Sequence, residues 1–181
     1  MQVRETRLPG VLIIEPRVLR DDRGAFWEGF QSERYAAAGI PGPFVQDNFS
    51  RSARGVLRGL HFQDPHPQGK LVCVLEGRVW DVAVDVRPGS PDFGRWVGIE
   101  LSADQAQQIW IPPGFAHGFQ ALSATALFAY KCTERFMPEA DGGIRWDDPQ
   151  LAIPWPITPP ALSAKDAALP TLAEWAAHRR R

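Results

Sequence analysis

The stretch KLVCVLEGRVWDVAVDVR, Lys70 to Arg87, decides how the chain is read. Its second half alternates. Trp80, Val82, Val84 and Val86 fall on one side and Asp81, Ala83 and Asp85 on the other, the two-residue period of a β-strand. Glu76-Gly77 interrupts the apolar run, so the two halves read as a hairpin turning there. A carboxylate on a strand face usually meets water. The other reading is that this face lines a polar cavity inside a barrel, with Asp81 or Asp85 steadying a histidine or lysine. Composition and spacing leave both open.

Outward from that stretch, the chain is punctuated by 16 glycines and 17 prolines into short segments. GVLIIEPRV (10–18), AFWEGF (25–30), FVQDNFSRS (44–52), GVLRGLHFQ (55–63), GRWVGIEL (94–101), QQIWI (107–111), GFQAL (118–122) and ALFAYKCTE (126–134) all read as strands. Regular short strands separated by turn signals predict an all-β sandwich or barrel. SERYAAAG (32–39) reads as a short helix with Ser32 as N-cap and Gly39 just past its end. The β-core is expected over about 8–136 of a single domain, 1–181. From about 137 the chain is rich in proline yet carries Trp146 and Trp155, so it is expected to pack over the core as an irregular arm. TLAEWAAHRRR (171–181) reads as a short helix or frayed tail whose three arginines solvate the terminus.

Composition excludes several functions. A net charge of -1 gives no global basic field for nucleic acid. Cys73 and Cys132 are the only cysteines, too few for a disulfide framework or a cysteine zinc site, and both sit in apolar runs as expected of buried thiols. Arg4, Glu5 and Arg7 interrupt the opening residues and no apolar stretch follows, so a secretory leader is not expected. No apolar run is long enough to span a membrane. A cytoplasmic protein is the expectation.

Two segments carry chemistry. GVLRGLHFQ places Arg58 and His61 in an apolar strand, and a buried guanidinium is costly unless paired. The two residues are three apart, so a regular strand would turn them to opposite faces. They reach one site only if the strand bulges, with Gly59 as the expected place. IWIPPGFAHGF (109–119) contains Pro112, Gly114 and His117 in the pattern P-x-G-x-x-H. This resembles the second motif of the cupin superfamily, whose fold is a jelly-roll barrel. In cupins the first motif holds metal with paired histidines. Here the corresponding stretch HFQDPHPQGK keeps His61 but has Gln63 at the second position, a poor ligand. A metal site is therefore not expected.

RDDRGAFWEGF, FVQDNFSRS, GVLRGLHFQ, QGKLV, DVAVDVR, IPPGFAHGF, YKCTE, WDDP and LSAKD occur in that order. The ordered set resembles the dTDP-4-dehydrorhamnose 3,5-epimerase family from about Leu8 to Leu172. The resemblance implies a cupin-type jelly roll with short peripheral helices and an irregular C-terminal arm. It implies an epimerase, without redox cofactor or metal, that inverts C3 and C5 of a dTDP-linked 4-keto-6-deoxyhexose through an enolate. Residue by residue, His61 matches the general base, Asp166 the carboxylate paired with it, Tyr130 the proton donor on the other face of the sugar, and Lys70 the cation beside the enolate. Arg23, Glu28, Gln46, Asn48, Arg58, His117, Asp141 and Lys165 match substrate contacts. Some such contacts come from a dimer partner's arm in the family, so a homodimer is implied.

Two departures bear on this. Asp141 stands where the family usually has glutamate. Arg135-Phe136 stands where two aromatics are common, and Phe136 lacks a hydroxyl; its loss could narrow the reaction to one carbon. A single-carbon epimerase is thus the close alternative. A metal-dependent cupin isomerase or dioxygenase is a second, and a non-catalytic module that binds sugar nucleotides is a third. His61, Asp166 and Tyr130 together argue against the last, since binding alone needs no acid–base set.

Overall fold

The computed structural model describes residues 1–179. Thirteen strands run in chain order as β1 (Gln2–Glu5), β2 (Leu12–Glu15), β3 (Leu19–Asp21), β4 (Gly24–Phe26), β5 (Gln46–Ala53), β6 (Leu57–Gln63), β7 (Lys70–Glu76), β8 (Arg78–Asp85), β9 (Trp96–Ser102), β10 (Gln108–Ile111), β11 (Phe115–Ala121), β12 (Thr125–Cys132) and β13 (Asp141–Gly143). Three short helices accompany them: α1 (Ser32–Ala37), α2 (Ala164–Ala167) and α3 (Leu172–Arg179). A six-stranded sheet in the order β1-β2-β10-β7-β12-β5 faces a five-stranded sheet in the order β13-β6-β11-β8-β9, as a jelly roll. β1 and β13 extend the sheets beyond both ends of the 8–136 span expected for the core. Strands β3 and β4 form a separate two-stranded hairpin.

The expected hairpin at Glu76-Gly77 is a correction. β7 pairs with β10 and β12, whereas β8 pairs with β9 and β11 in the other sheet. Gly77, at φ +78, carries the chain across the barrel instead of back along the same sheet. An added Cβ there would stand 2.2 Å from the Thr125 carbonyl, so the crossing requires glycine. The alternation in β8 was real, and the crossing gives it meaning. Val79 and Ala83 join the core between the sheets, with Val72, Ile109, Ile111, Phe115, Phe119 and Phe128. Val82 and Val84 point outward into a second core made by the arm, with Ile144, Leu151, Ile153, Trp155 and Leu172. Asp81 is therefore inside the barrel. Asp85, at the strand end, is held by Arg87 (2.6 Å) and Ser90 (2.6 Å) and steadies a turn, not a histidine or lysine of the cavity.

The arm is fastened by burial and by one carboxylate. Buried Asp148 accepts from the backbone N–H groups of Gln150 (2.8 Å), Leu151 (2.9 Å) and Leu172 (2.7 Å), which meets the requirement that a buried charge be hydrogen-bonded. Trp96 Nε1 donates to the Leu151 carbonyl at 2.8 Å. Truncating one of these side chains, Leu151→Ala for instance, removes roughly 2–5 kcal/mol of stability by the usual cost of a core cavity. This packing brings residues 163–166 back over the open end of the barrel.

Three smaller expectations change. The N-cap of α1 is Gln31, whose side chain accepts from Arg34 N, and Ser32 is its first helical residue. Cys132 is buried, but Cys73 is half-buried on the outer face of the six-stranded sheet. Arg179 pairs with Asp64 at 3.0 Å and lies over the Trp175 ring instead of merely solvating the terminus, while Arg180 and Arg181 lie outside the described residues. Among those residues no helix is long and apolar enough to cross a membrane.

Candidate active site

The bulge expected at Gly59 organises the site. On β11, His117 and Phe119 are two apart and share a face; on β6 their partners are His61 and Arg58, which are three apart. One extra residue on β6 therefore turns Arg58 and His61 to the same side. Gly59 sits at φ +130, and a Cβ there would lie 2.5 Å from Gly118 Cα. Glycine is needed on both strands at this approach, since Gly118 meets the Arg58 carbonyl in the same way.

The result is a cavity of about 270 Å³ in one end of the barrel. β5 contributes Ser50, β6 Arg58 and His61, β7 Lys70, β11 His117 and Phe119, and β12 Phe128 and Tyr130. The turn into α2 closes it with Ser163, Lys165 and Asp166. Ser163 caps that helix by accepting from Asp166 N at 3.0 Å, so the cap fixes the angle at which Asp166 enters. Asp166 Oδ1 meets His61 Nε2 at 2.5 Å. A carboxylate only accepts, so Nε2 carries a proton in that contact, and in the neutral ring Nδ1 is the nitrogen left to accept. Burial by itself raises the Asp166 carboxyl; the hydrogen bond and charge of His61, aided by Ser163 and Lys165, outweigh it and hold the group below the ordinary carboxylate value.

A second pair sits deeper. His117 Nε2 meets Asp81 Oδ2 at 2.9 Å, both groups buried. Burial pushes His117 down, against the pull of Asp81, so the ring stays neutral. Lys70 Nζ is 3.4 Å from the His61 carbonyl, a long contact. Burial lowers its pKa, while Cys132, Asp81 and Asp141 raise it. Burial raises the Tyr130 hydroxyl, as do Cys132 and Asp141, while Arg58 lowers it; it remains a proton donor across the neutral range. Arg58 Nε donates to Ser52 Oγ at 3.1 Å, which aims the guanidinium.

His61, Asp166, Tyr130, Lys70, Arg58, His117 and Lys165 thus come together. Asp141 reaches the rim through an ion pair with Lys165. Gln46 and Asn48 lie along β5 beside it: Gln46 donates to Asn48 Oδ1 at 2.9 Å and accepts from Phe136 N at 2.8 Å. Arg23 and Glu28 are not in the cavity. Arg23 sits at the tip of the β3–β4 hairpin on Asp21, and Glu28 pairs with Arg34. Gln63, at the position of a cupin ligand, instead ties loops, donating to the His66 and Arg135 carbonyls and accepting from Met137 N. Among the described residues no group of three or more His, Cys, Asp or Glu side chains is placed to hold a metal ion. Of the two readings of the β8 carboxylates, the cavity-lining one holds for Asp81, although the sequence did not say which histidine or lysine it meets; the partner is His117. Sequence reasoning missed Ser52, which was available in the alternation of QDNFSRS, a pattern that turns Gln46, Asn48, Ser50 and Ser52 to one face.

Outside this cavity, the exposed face of the six-stranded sheet carries Phe49 and Leu75. A groove there of about 290 Å³ is also lined by Trp27, Phe30, Leu71 and Cys73. The nearby β3–β4 hairpin exposes Leu19 and Phe26.

A family model described as dTDP-4-dehydrorhamnose 3,5-epimerase matches residues 5–174. The dTDP-4-dehydrorhamnose 3,5-epimerase of Escherichia coli (strain K12) is 54% identical over 177 residues, 96% of each chain. A dTDP-6-deoxy-D-glucose-3,5-epimerase from Legionella pneumophila Philadelphia 1, solved in complex with dTDP-4-keto-L-rhamnose, superposes with TM-score 0.92 at 55% identity, covering 95% of this chain and 93% of its own. A 3'-monoepimerase from Streptomyces bikiniensis, solved in complex with dTDP-quinovose, gives TM-score 0.89 at 35% identity, covering 97% and 89%. The chain belongs to the dTDP-4-dehydrorhamnose 3,5-epimerase family.

Proposed function

We propose that this member of the dTDP-4-dehydrorhamnose 3,5-epimerase family inverts C3 and C5 of dTDP-4-dehydro-6-deoxy-D-glucose, giving dTDP-4-dehydro-L-rhamnose. The observation that carries the reading is the His61–Asp166 pair at 2.5 Å in one cavity with the Tyr130 hydroxyl and Lys70. The 4-keto group acidifies the hydrogens on C3 and C5. His61 Nδ1 takes one of them, and Asp166 stabilises the imidazolium that results. The C–H electron pair moves into an enolate whose oxygen lies against the Lys70 ammonium. Tyr130 returns a proton to the carbon from the opposite face. The displaced proton leaves His61 to water, Tyr130 is reprotonated, and the cycle repeats at the second carbon. No electron is gained or lost.

Arg58 and Lys165 provide positive charge for the diphosphate, Arg58 with a planar fork of donors. Gln46, Asn48 and Asp141 extend the site along β5 and the rim toward the nucleoside. Arg23 and Glu28 reach a site only in a second copy of the chain, and the exposed apolar sheet face suits a homodimer that exchanges the β3–β4 hairpin. With no basic field for nucleic acid and a soluble sugar nucleotide as substrate, the enzyme works in the cytoplasm.

The second reading is epimerisation of one carbon. It is favoured by Phe136, which has no hydroxyl, and by the structural likeness to a monoepimerase. One experiment separates the readings: NMR of dTDP-4-keto-6-deoxy-glucose with the protein in deuterium oxide. Deuterium entering both C3 and C5 is the expected result. Deuterium at one carbon selects the monoepimerase, and none at either carbon, with dTDP still bound, removes the epimerase assignment on this substrate.

A further inference from the structure

We propose that Asp81 is a positioning residue that fixes His117 as the Nε2–H tautomer, so that Nδ1 stands as a hydrogen-bond acceptor for a hydroxyl of the bound sugar. The inference rests on the sugar-nucleotide reading for the ligand, and on geometry for the tautomer. Asp81 Oδ2 lies 2.9 Å from His117 Nε2. An ionised carboxylate has no proton to donate, so the hydrogen in that contact belongs to the ring. His117 lines the cavity, and its Nδ1 makes no hydrogen bond to protein among the described residues. The ring also stacks near Phe128, with centroids 6.0 Å apart and planes 21° apart, which fixes its plane.

A purely architectural role for Asp81 fits poorly. Its neighbours on the inward face of β8 are Val79 and Ala83, and an apolar side chain would complete that core. Instead Asp81 is fully buried with one oxygen, Oδ1, lacking any partner. An unpaired buried acceptor is destabilising, so the carboxylate has a function outside folding. The cavity's polar inventory supplies one. Arg58, Lys70 and Lys165 only donate. They match phosphate and enolate oxygens but not a hydroxyl hydrogen. His61 Nδ1 is reserved for the C–H proton. The Ser50, Ser163 and Tyr130 hydroxyls also line the cavity and can accept as well as donate; His117 Nδ1 adds a ring acceptor on the floor, but only in the tautomer that Asp81 selects. The opposite tautomer would turn one more donor toward the sugar.

The test starts without substrate, by long-range proton–nitrogen NMR of protein labelled with ¹⁵N-histidine, with the His117 signals assigned from H117Q. Wild type and D81N, whose amide oxygen still accepts, are expected to hold the Nε2–H form. D81A is expected to shift toward Nδ1–H. In kinetics, D81A is expected to lose on the order of 10–100-fold in kcat/KM, as for one lost charge-assisted hydrogen bond. D81N is expected to recover most of that loss, and the dTDP Kd is expected to be unchanged in both, because the nucleotide carries no sugar hydroxyl to this floor. An unchanged tautomer in D81A overturns the proposal whatever happens to activity, as does a changed tautomer with full activity. If D81A does not fold, the wild-type spectrum decides: Nδ1–H on His117 overturns the proposal and Nε2–H supports it. Failure of the epimerase reading itself would appear separately, as wild-type protein that exchanges no deuterium.

Discussion

His61–Asp166 and His117–Asp81 are the same two groups in the same cavity, and in both the ring turns Nε2 to the carboxylate. They differ in setting. The His61 side chain is 32% exposed at the mouth, whereas that of His117 is 6% exposed on the floor. A general base must become a cation for part of each cycle. At the mouth, water and the carboxylate can both stabilise that cation, and a proton can leave. On the floor, burial disfavours the cation, so the second ring is confined to hydrogen bonding. In the proposed mechanism, one dyad in two settings gives a proton acceptor and a hydrogen-bond acceptor. Solvent access assigns the roles, not residue identity.

The largest effect is expected at the mouth. His61→Asn is expected to lower kcat by roughly 10²–10⁴-fold, the usual contribution of a positioned base. Circular dichroism and dTDP affinity should remain those of wild type. If His117→Asn costs as much in deuterium wash-in at C3 and C5, the two rings do not divide the work as described. Asp166→Asn comes next. It leaves the ring in place but removes the charge that stabilises imidazolium, so kcat is expected to fall on the order of 10–100-fold with KM little changed. Steady-state kinetics reads both.

The smallest effect is on stability and distinguishes the floor. Burial holds native His117 below the ordinary value of 6.5. Below pH 6.5 the unfolded chain therefore binds a proton that the native state refuses. Stability from this group is complete above pH 6.5 and is lost as pH falls from there toward the native value. His117→Gln should flatten that part of the stability–pH curve in urea titrations. The Asp166 carboxyl, held below its ordinary 3.8, acts in a lower window: its contribution is complete above that value and is lost as pH falls through the native value. His117→Gln should leave that acid limb unmoved.

Much of this was legible in the residues. The period-two pattern of β8 put Asp81 and Ala83 on one face, and the three-residue gap between Arg58 and His61 demanded the bulge found at Gly59. What the pattern did not carry was pairing. Val79 and Val82 are equally apolar because both faces of β8 are covered, so nothing local says that β7 and β8 belong to different sheets. The partner of Asp81 was illegible for the same reason: register between β8 and β11 is set by the whole barrel. Asp85 has the same alternation as Asp81, but the polar turn at Arg87 and Ser90 claims it. Arg23 and Glu28 belong to motifs of the resemblance yet lie outside the cavity, Arg23 at the hairpin tip and Glu28 beyond it on Arg34, because one chain folds without bringing them in.

The His61–Asp166 contact spans 105 residues of sequence. β6 is complete early in translation and the barrel's long strands are complete at Cys132, but the carboxylate is carried by the arm that follows. Under the proposed mechanism, a chain with its barrel strands complete and its arm not yet made would hold the base without its partner. On that mechanism competence waits for α2 to dock, and a chain cut short before that helix would be a barrel without an engine.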